Sequence, residues 1–201
     1  MARVTAEKAA ETKRHLVEAA RQVLTERGYA GLSTRQVAEV AGTQMSQIQY
    51  HFGSKQGLVL AVFEDMNAEL LTRQRVTFDD PDTSLAKQWD VACDFLEDDL
   101  ESGYVRILQE LIAAGWSDPV IRENVVNGLR GWHELLLDLS GKIASRQGDD
   151  ATLGKHQIAA LISSVYLGAE AQILLGFDES ERPIRSAFRQ IGTLIQMLET
   201  A

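Results

Sequence analysis

Gln44, Ser46, Gln47, Gln49, Tyr50 and His51 fall within eight consecutive residues, and each can donate or accept a hydrogen bond. Met45 and Ile48 complete the run, and no Asp or Glu occurs from Val40 to Phe63. Side chains of this kind suit the reading of base edges and the holding of phosphate oxygens, which a carboxylate would repel. The ordinary alternative is a polar solvent face on a short surface helix. Other candidate chemistry is scattered. His15, His51, His133 and His156 stand far apart, with no HExxH pair, no acidic cluster at ligand spacing and no glycine-rich phosphate loop. Cys93, the single cysteine, sits in an apolar stretch and reads as a small core residue rather than a nucleophile. No catalytic residue, metal site or cofactor is therefore expected; an all-helical enzyme is a minor alternative.

The elements around the polar run decide between recognition and a bland surface. Ser33 is placed to cap a helix over Thr34 to Ala41, with Val37, Ala38, Val40 and Ala41 inward and Arg35, Gln36 and Glu39 toward water. Gly42 permits a left-handed turn, and Thr43 can cap a second helix, Gln44 to Phe52, with Ile48 and Phe52 inward. A longer helix precedes them from about Ala10 to Arg27, with Leu16, Ala19, Ala20, Val23 and Leu24 on one face and Gly28 as its stop. Residues 1–10 read as a mobile arm carrying Arg3 and Lys8. A fourth helix opens behind Gly53-Ser54, with Lys55 in its first turn and a run from Leu58 to Phe63 that is apolar nearly all round. Helix, glycine turn and acid-free helix behind an amphipathic helix make a helix-turn-helix.

Residues 12–60, and most sharply AGTQMSQIQYHFGSKQGLVLAVF, resemble the DNA-binding domain of the TetR family of bacterial transcriptional repressors. The shared pattern comprises Arg27-Gly28-Tyr29, then Gly31-Leu32-Ser33-Thr34, Val-Ala, Ala-Gly, an aromatic-His-Phe ending and Ser-Lys-x-x-Leu. One position departs: the family usually has Tyr where this chain has Gln49, and Tyr50 can take over that phosphate contact. The resemblance implies base-edge contacts by Arg35, Met45, Ser46 and Gln47, and phosphate contacts by Thr34, Gln49, Tyr50, His51 and Lys55. It also implies a palindromic operator, a homodimer and a small organic effector bound in a helical body. A DNA-binding protein without a small ligand is the nearest alternative.

Charge divides in the manner this requires. Of the net −9, residues 1–60 carry eight Lys and Arg against five Glu, so the head is +3 and the remainder −12. A head of only +3 draws most of its affinity from being present twice. The lone cysteine suits a reducing cytoplasm, no apolar run looks long enough to span a membrane, and the N-terminus lacks an apolar signal core. The expected class is all-α, with a helix-turn-helix domain over 1–53 and a helical ligand-binding and dimerisation domain over 54–201.

After a break at Phe78-Asp79-Asp80-Pro81-Asp82, helices are expected at about 84–101, 104–114, 119–146, 152–175 and 182–199. Ala160, Ser164 and Gly168 recur at i, i+4, i+8, a spacing that lets another helix approach closely. With Phe188, Ile191 and Ile195 on the last helix they form the expected dimer interface, ordinary intrachain packing being the alternative. Trp89, Cys93, Trp116, Trp132 and Tyr166 are the expected ligand-pocket residues, the alternative being that they fill a core.

Overall fold

The computed structural model describes residues 2–80, 82–146 and 153–200. The turn expected at residues 147–150, Pro81, and the side chains of Arg3 and Leu198 lie outside the described residues. Among the described residues there is no strand, and the helices are α1 (Ala2–Gly31), α2 (Thr34–Val40), α3 (Met45–Phe52), α4 (Lys55–Phe78), α5 (Leu85–Glu101), α6 (Tyr104–Gly115), α7 (Pro119–Arg146), α8 (Lys155–Leu174) and α9 (Ile184–Thr200). The all-α reading and the positions of the body helices match this order to within a few residues. The N-terminal arm does not: residues 2–10 are the first turns of α1. That stretch holds no Gly or Pro, and four of its nine residues are Ala, the strongest helix former.

The chain forms two compact units, Met1–Ala68 with Ser102–Val125, and Glu69–Glu101 with Val126–Ala201. This differs from a cut at residue 53, because the first half of α4 and all of α6 belong with the head. The reason lies in its core. Leu16, Leu24, Val37, Ile48, Leu58, Val59, Val62 and Phe63 are buried, and so are Val105, Ile107, Leu108 and Leu111 of α6. Phe63 stacks on Tyr104 at 6.1 Å between centroids, and the Tyr104 hydroxyl donates to Asn67 Oδ1 at 2.8 Å. Gly28 interrupts α1 with φ 70° and ψ 178°, a conformation open essentially to glycine alone.

In the second unit α5 and α9 pair closely. The Trp89 indole N–H donates to the Phe188 carbonyl at 2.6 Å, Arg185 pairs with Glu97 at 2.8 Å, and Arg189 pairs with Asp94. At the other end the Glu199 carboxylate accepts the N–H groups of Leu85 and Ala86, at 2.8 and 3.2 Å, and so caps the positive end of α5. Beside the buried Leu135, Leu136, Leu139 and Ile158 lies an aromatic group: Tyr166 stacks on Phe188 at 5.1 Å and meets Trp132 edge-on at 5.8 Å. Burial pushes the nearby Cys93 thiol up to about 11.

Two consequences are measurable. A Cβ at residue 28 would lie 2.5 Å from Glu110 Oε1, so Gly28→Ala combines steric overlap with a disfavoured φ. It should lower stability by roughly 1–3 kcal/mol in urea unfolding; an unchanged midpoint would contradict this backbone. For Cys93, at pH 8 only about one thiol in a thousand is ionised, so iodoacetamide should label it only after unfolding. Because its folded pKa lies above the unfolded value, stability should fall as pH rises from about 9 to about 11; rapid labelling of the native protein would contradict the burial.

Candidate nucleic-acid interface and body cavities

Local geometry holds the reading element rigidly. The Ser33 hydroxyl accepts the Gln36 N–H at 3.3 Å, as expected of a cap. α2 ends in a paired 6→1 and 5→2 closure: Thr43 N–H to the Ala38 carbonyl at 2.9 Å and Gly42 N–H to the Glu39 carbonyl at 3.2 Å, with Gly42 at φ 62°. Thr43 is thereby part of the turn, and Gln44 takes the cap position of α3 without a side-chain bond, which corrects the expected Thr43 cap. Val40, expected inward, is 49% exposed, because α2 ends there and the turn carries it off the inner face. Val37, Ala38 and Ile48 do face inward, and Phe52 is half-buried.

The outer surface of α3 presents Met45, Ser46, Gln49 and Tyr50, all exposed, with Gln47 and His51 half-buried. Tyr50 is 77% exposed and meets the His51 ring edge-on at 4.9 Å. Arg35 projects from α2 and pairs with Glu39 at 3.1 Å, a weak surface pair that a stronger partner can displace. Thr34 is half-buried in the first turn of α2. Lys55 is already engaged: its ammonium donates to the Tyr29 carbonyl at 2.9 Å and lies 5.1 Å from the centre of the Tyr29 ring. One of its three N–H groups is used in this way, leaving two for another acceptor.

Three features of this head were not visible in the sequence pattern. A Cβ on Gly57 would overlap the Phe52 carbonyl oxygen, so α4 leaves α3 through a gap only glycine fits. The Glu110 carboxylate on α6 accepts the Tyr29 N–H and pairs with Arg106 at 3.1 Å. Gln56 donates to Asp118 Oδ2 at 2.8 Å, while Asp118 Oδ1 caps α7 by accepting Val120 and Ile121 N–H. The Tyr29–Glu110 and Gln56–Asp118 bonds join residues 81 and 62 positions apart, which helical periodicity does not encode.

In the body, the five residues expected to line a pocket part company. Trp89 and Cys93 are buried core and Tyr166 is half-buried against them, with the Trp89 N–H satisfied by Phe188 and the Tyr166 hydroxyl donating to the Ala92 carbonyl at 2.8 Å. Burial moves the Tyr166 phenol well above its ordinary value. Trp116 belongs to the first unit and is 76% exposed just after α6. Trp132 faces a cavity of about 340 Å³ lined by Val126, Leu129, Arg130, Trp132, His133, Ser163 and Leu167. A second cavity of about 720 Å³ is acidic, with Asp79, Asp80, Asp138, Lys142 and the buried Gln88 among its walls. There the Lys142 ammonium is tied to the Phe78 carbonyl at 2.8 Å, and hydrogen bonds from Thr83 and Asp82 hold the Asp80 carboxyl below its usual range.

The six expected interface residues also divide. Ala160, Ser164 and Gly168 are exposed on α8, and Ile191 and Ile195 are half-buried on α9. Phe188 is buried within its own chain against Trp89 and Tyr166, so it is core rather than surface. Leu161 and Val165 on α8, and Leu194 and Met197 on α9, are large apolar side chains that are exposed in this chain. α8 is moreover long and apolar enough, on length and composition, to cross a membrane, which corrects the expectation that no such run exists. Its buried Glu170, and an outward apolar side beside that of α9, fit a helix-packing surface equally well.

Residues 16–62 match the profile described as bacterial regulatory proteins, tetR family. The chain is 35% identical over 127 residues to the HTH-type transcriptional regulator CymR of Pseudomonas putida, a match covering 61% of this chain and 60% of that protein. Its fold matches a TetR-family transcriptional regulator from Agrobacterium tumefaciens with a TM-score of 0.74 at 15% identity, over 96% of this chain and 98% of the other. It likewise matches the transcriptional regulator FadR of Bacillus subtilis, solved in complex with stearoyl-CoA, with a TM-score of 0.73 at 14% identity, over 90% and 96%. With the head's motifs in place on a helix-turn-helix, residues 16–62 are a DNA-binding head of the tetR-family type, and the chain as a whole shares the fold of these solved regulators.

Proposed function

We propose that this protein is a cytoplasmic, homodimeric repressor that binds a palindromic operator through α3 and releases it when a small organic effector enters the body. The observation that carries the reading is the outer face of α3, acid-free and rich in hydrogen-bonding groups, on a helix whose buried side is fixed by the core. Met45, Ser46 and Gln47 reach base edges in the major groove, with Arg35 freed from Glu39 to pair with a guanine. Thr34, Gln49, Tyr50, His51 and Lys55 hold phosphates and set the register. Two such helices about one duplex turn apart, roughly 35 Å, read successive grooves. DNA reading thus belongs to the first unit, Lys55 included, and effector binding and dimerisation to the second.

The dimer forms through Ala160, Leu161, Ser164, Val165 and Gly168 of α8 with Ile191, Leu194, Ile195 and Met197 of α9. The support is an exposed apolar face on two touching helices, where small residues let a second copy approach closely. The effector occupies the 340 Å³ cavity beside Trp132. Its four apolar walls fit a small apolar molecule, and Arg130 and His133 at the edge suit an acidic group on it. The solved relative holding stearoyl-CoA supports an effector role for such a body in general. α4 runs through both units and carries the change to the head, where DNA pitch makes a shift of a few ångströms costly. A regulator without a small effector is the second reading, favoured by the filled aromatic core; it requires that no metabolite shifts the melting temperature.

Gln47→Ala should weaken binding to a duplex selected from a randomised pool by about 1–3 kcal/mol while leaving random DNA nearly unaffected. Equal losses on both would remove Gln47 from sequence reading. Leu194→Arg should yield a monomer in sedimentation velocity that has lost tight operator binding. A dimer that survives this change and Val165→Arg together would place the interface elsewhere.

A further inference from the structure

The geometry points to Glu110, on α6, as the residue that positions Lys55 for its phosphate. Tyr29 is gripped from both sides by opposite charges. The Glu110 carboxylate accepts its N–H, and the Lys55 ammonium donates to its carbonyl at 2.9 Å while lying over its ring. The Tyr29 N–H and carbonyl belong to successive peptide units on either side of its Cα, and its place in α1 holds the φ and ψ between them, so the two charges are joined through one ordered residue. Each end orders the other: a carboxylate on the N–H and a cation on the carbonyl both favour the same orientation of the Tyr29 backbone dipoles. Glu110 is itself fixed. Arg106 pairs with it at 3.1 Å and donates to the Thr25 carbonyl at 3.4 Å, and the bare Cα of Gly28 lets both side chains reach α1. α6 is further tied to this corner by the Thr25 hydroxyl, which donates to the Ser102 carbonyl at 3.3 Å.

Glu110 carries negative charge and sits on α6, so it is no DNA ligand. It acts through Tyr29, fixing where the two remaining N–H groups of Lys55 are presented. A phosphate contact of the head is therefore under the control of α6, a helix about fifty residues further along the chain. The inference rests on the reading that Lys55 faces DNA.

The test uses the full chain and a duplex selected by the wild type from a randomised pool, with affinity measured across a salt series. Lys55→Met should lose on the order of tenfold at moderate salt, with the slope of log K against log salt reduced by about one per head. Glu110→Ala should reproduce both effects, and Glu110→Gln, which still accepts the N–H without charge, should fall between it and wild type. The double variant Lys55→Met with Glu110→Ala should bind no worse than Lys55→Met alone. A purely structural role would lower the melting temperature without changing the salt slope. Wild-type slopes for Glu110→Ala, or losses that add fully in the double variant, overturn the proposal; if Glu110→Ala fails to fold, a wild-type slope for Glu110→Gln does so. An unchanged slope for Lys55→Met beside a large loss for Gln47→Ala overturns it while leaving the operator reading intact. Failure of the wild type to select any duplex removes both.

Discussion

An eight-residue helix does not hold itself together in water, because nucleation costs more than so few hydrogen bonds return. α3 exists only because its neighbours make it: Ile48 is 1% exposed, the closed turn after α2 fixes its entry, and the glycine gap at residue 57 fixes its exit. One buried side chain and two rigid ends settle its orientation. The other side chains are left free for chemistry. That constraint explains why so polar a helix can be presented stiffly, and why α1 and the first half of α4 are so apolar on the sides that meet it.

Much of this was legible in the sequence. The Ser33 cap, the Gly42 turn, the Gly28 stop and the inward Val37, Ala38 and Ile48 follow from local preference and helical period, and the family motifs are concentrated there. The errors have physical causes. Thr43 and Gln44 compete for one cap position, and backbone closure of the turn decides it. Val40 falls outward because α2 is too short to keep a full face inside. Nothing local marks Glu110, whose partner is 81 residues away, while Gly57 is set by the turn geometry that brings the Phe52 carbonyl against it.

The body shows the opposite balance. Its helices were placed correctly from their breaks, but the assignment of side chains was not. Aromatic residues suit a cavity wall and a core equally, and only the third dimension separates them. Here the polar tips decide: the Trp89 N–H and the Tyr166 hydroxyl are both spent on backbone carbonyls of neighbouring helices. Such bonds hold rings in place rather than leaving them open to a guest. Phe188, expected at an interface, is core by the same effect: α9 turns its largest ring inward against Trp89 and Tyr166. The buried Asp99 follows a related logic. Arg73 pairs with it at 2.6 Å, yet burial outweighs that partner and its carboxyl is raised above the usual range.

The head is assembled from two stretches of chain that are not contiguous, one ending at Ala68 and the other spanning Ser102–Val125. A chimaera made by grafting the first sixty residues onto a relative's body would therefore import a head without its own α6. Tyr104, Val105, Ile107 and Leu111 would be replaced by whatever the recipient supplies. The outer face of α3 can be exchanged side chain by side chain without disturbing that core, whereas a cut at residue 60 leaves part of the core behind.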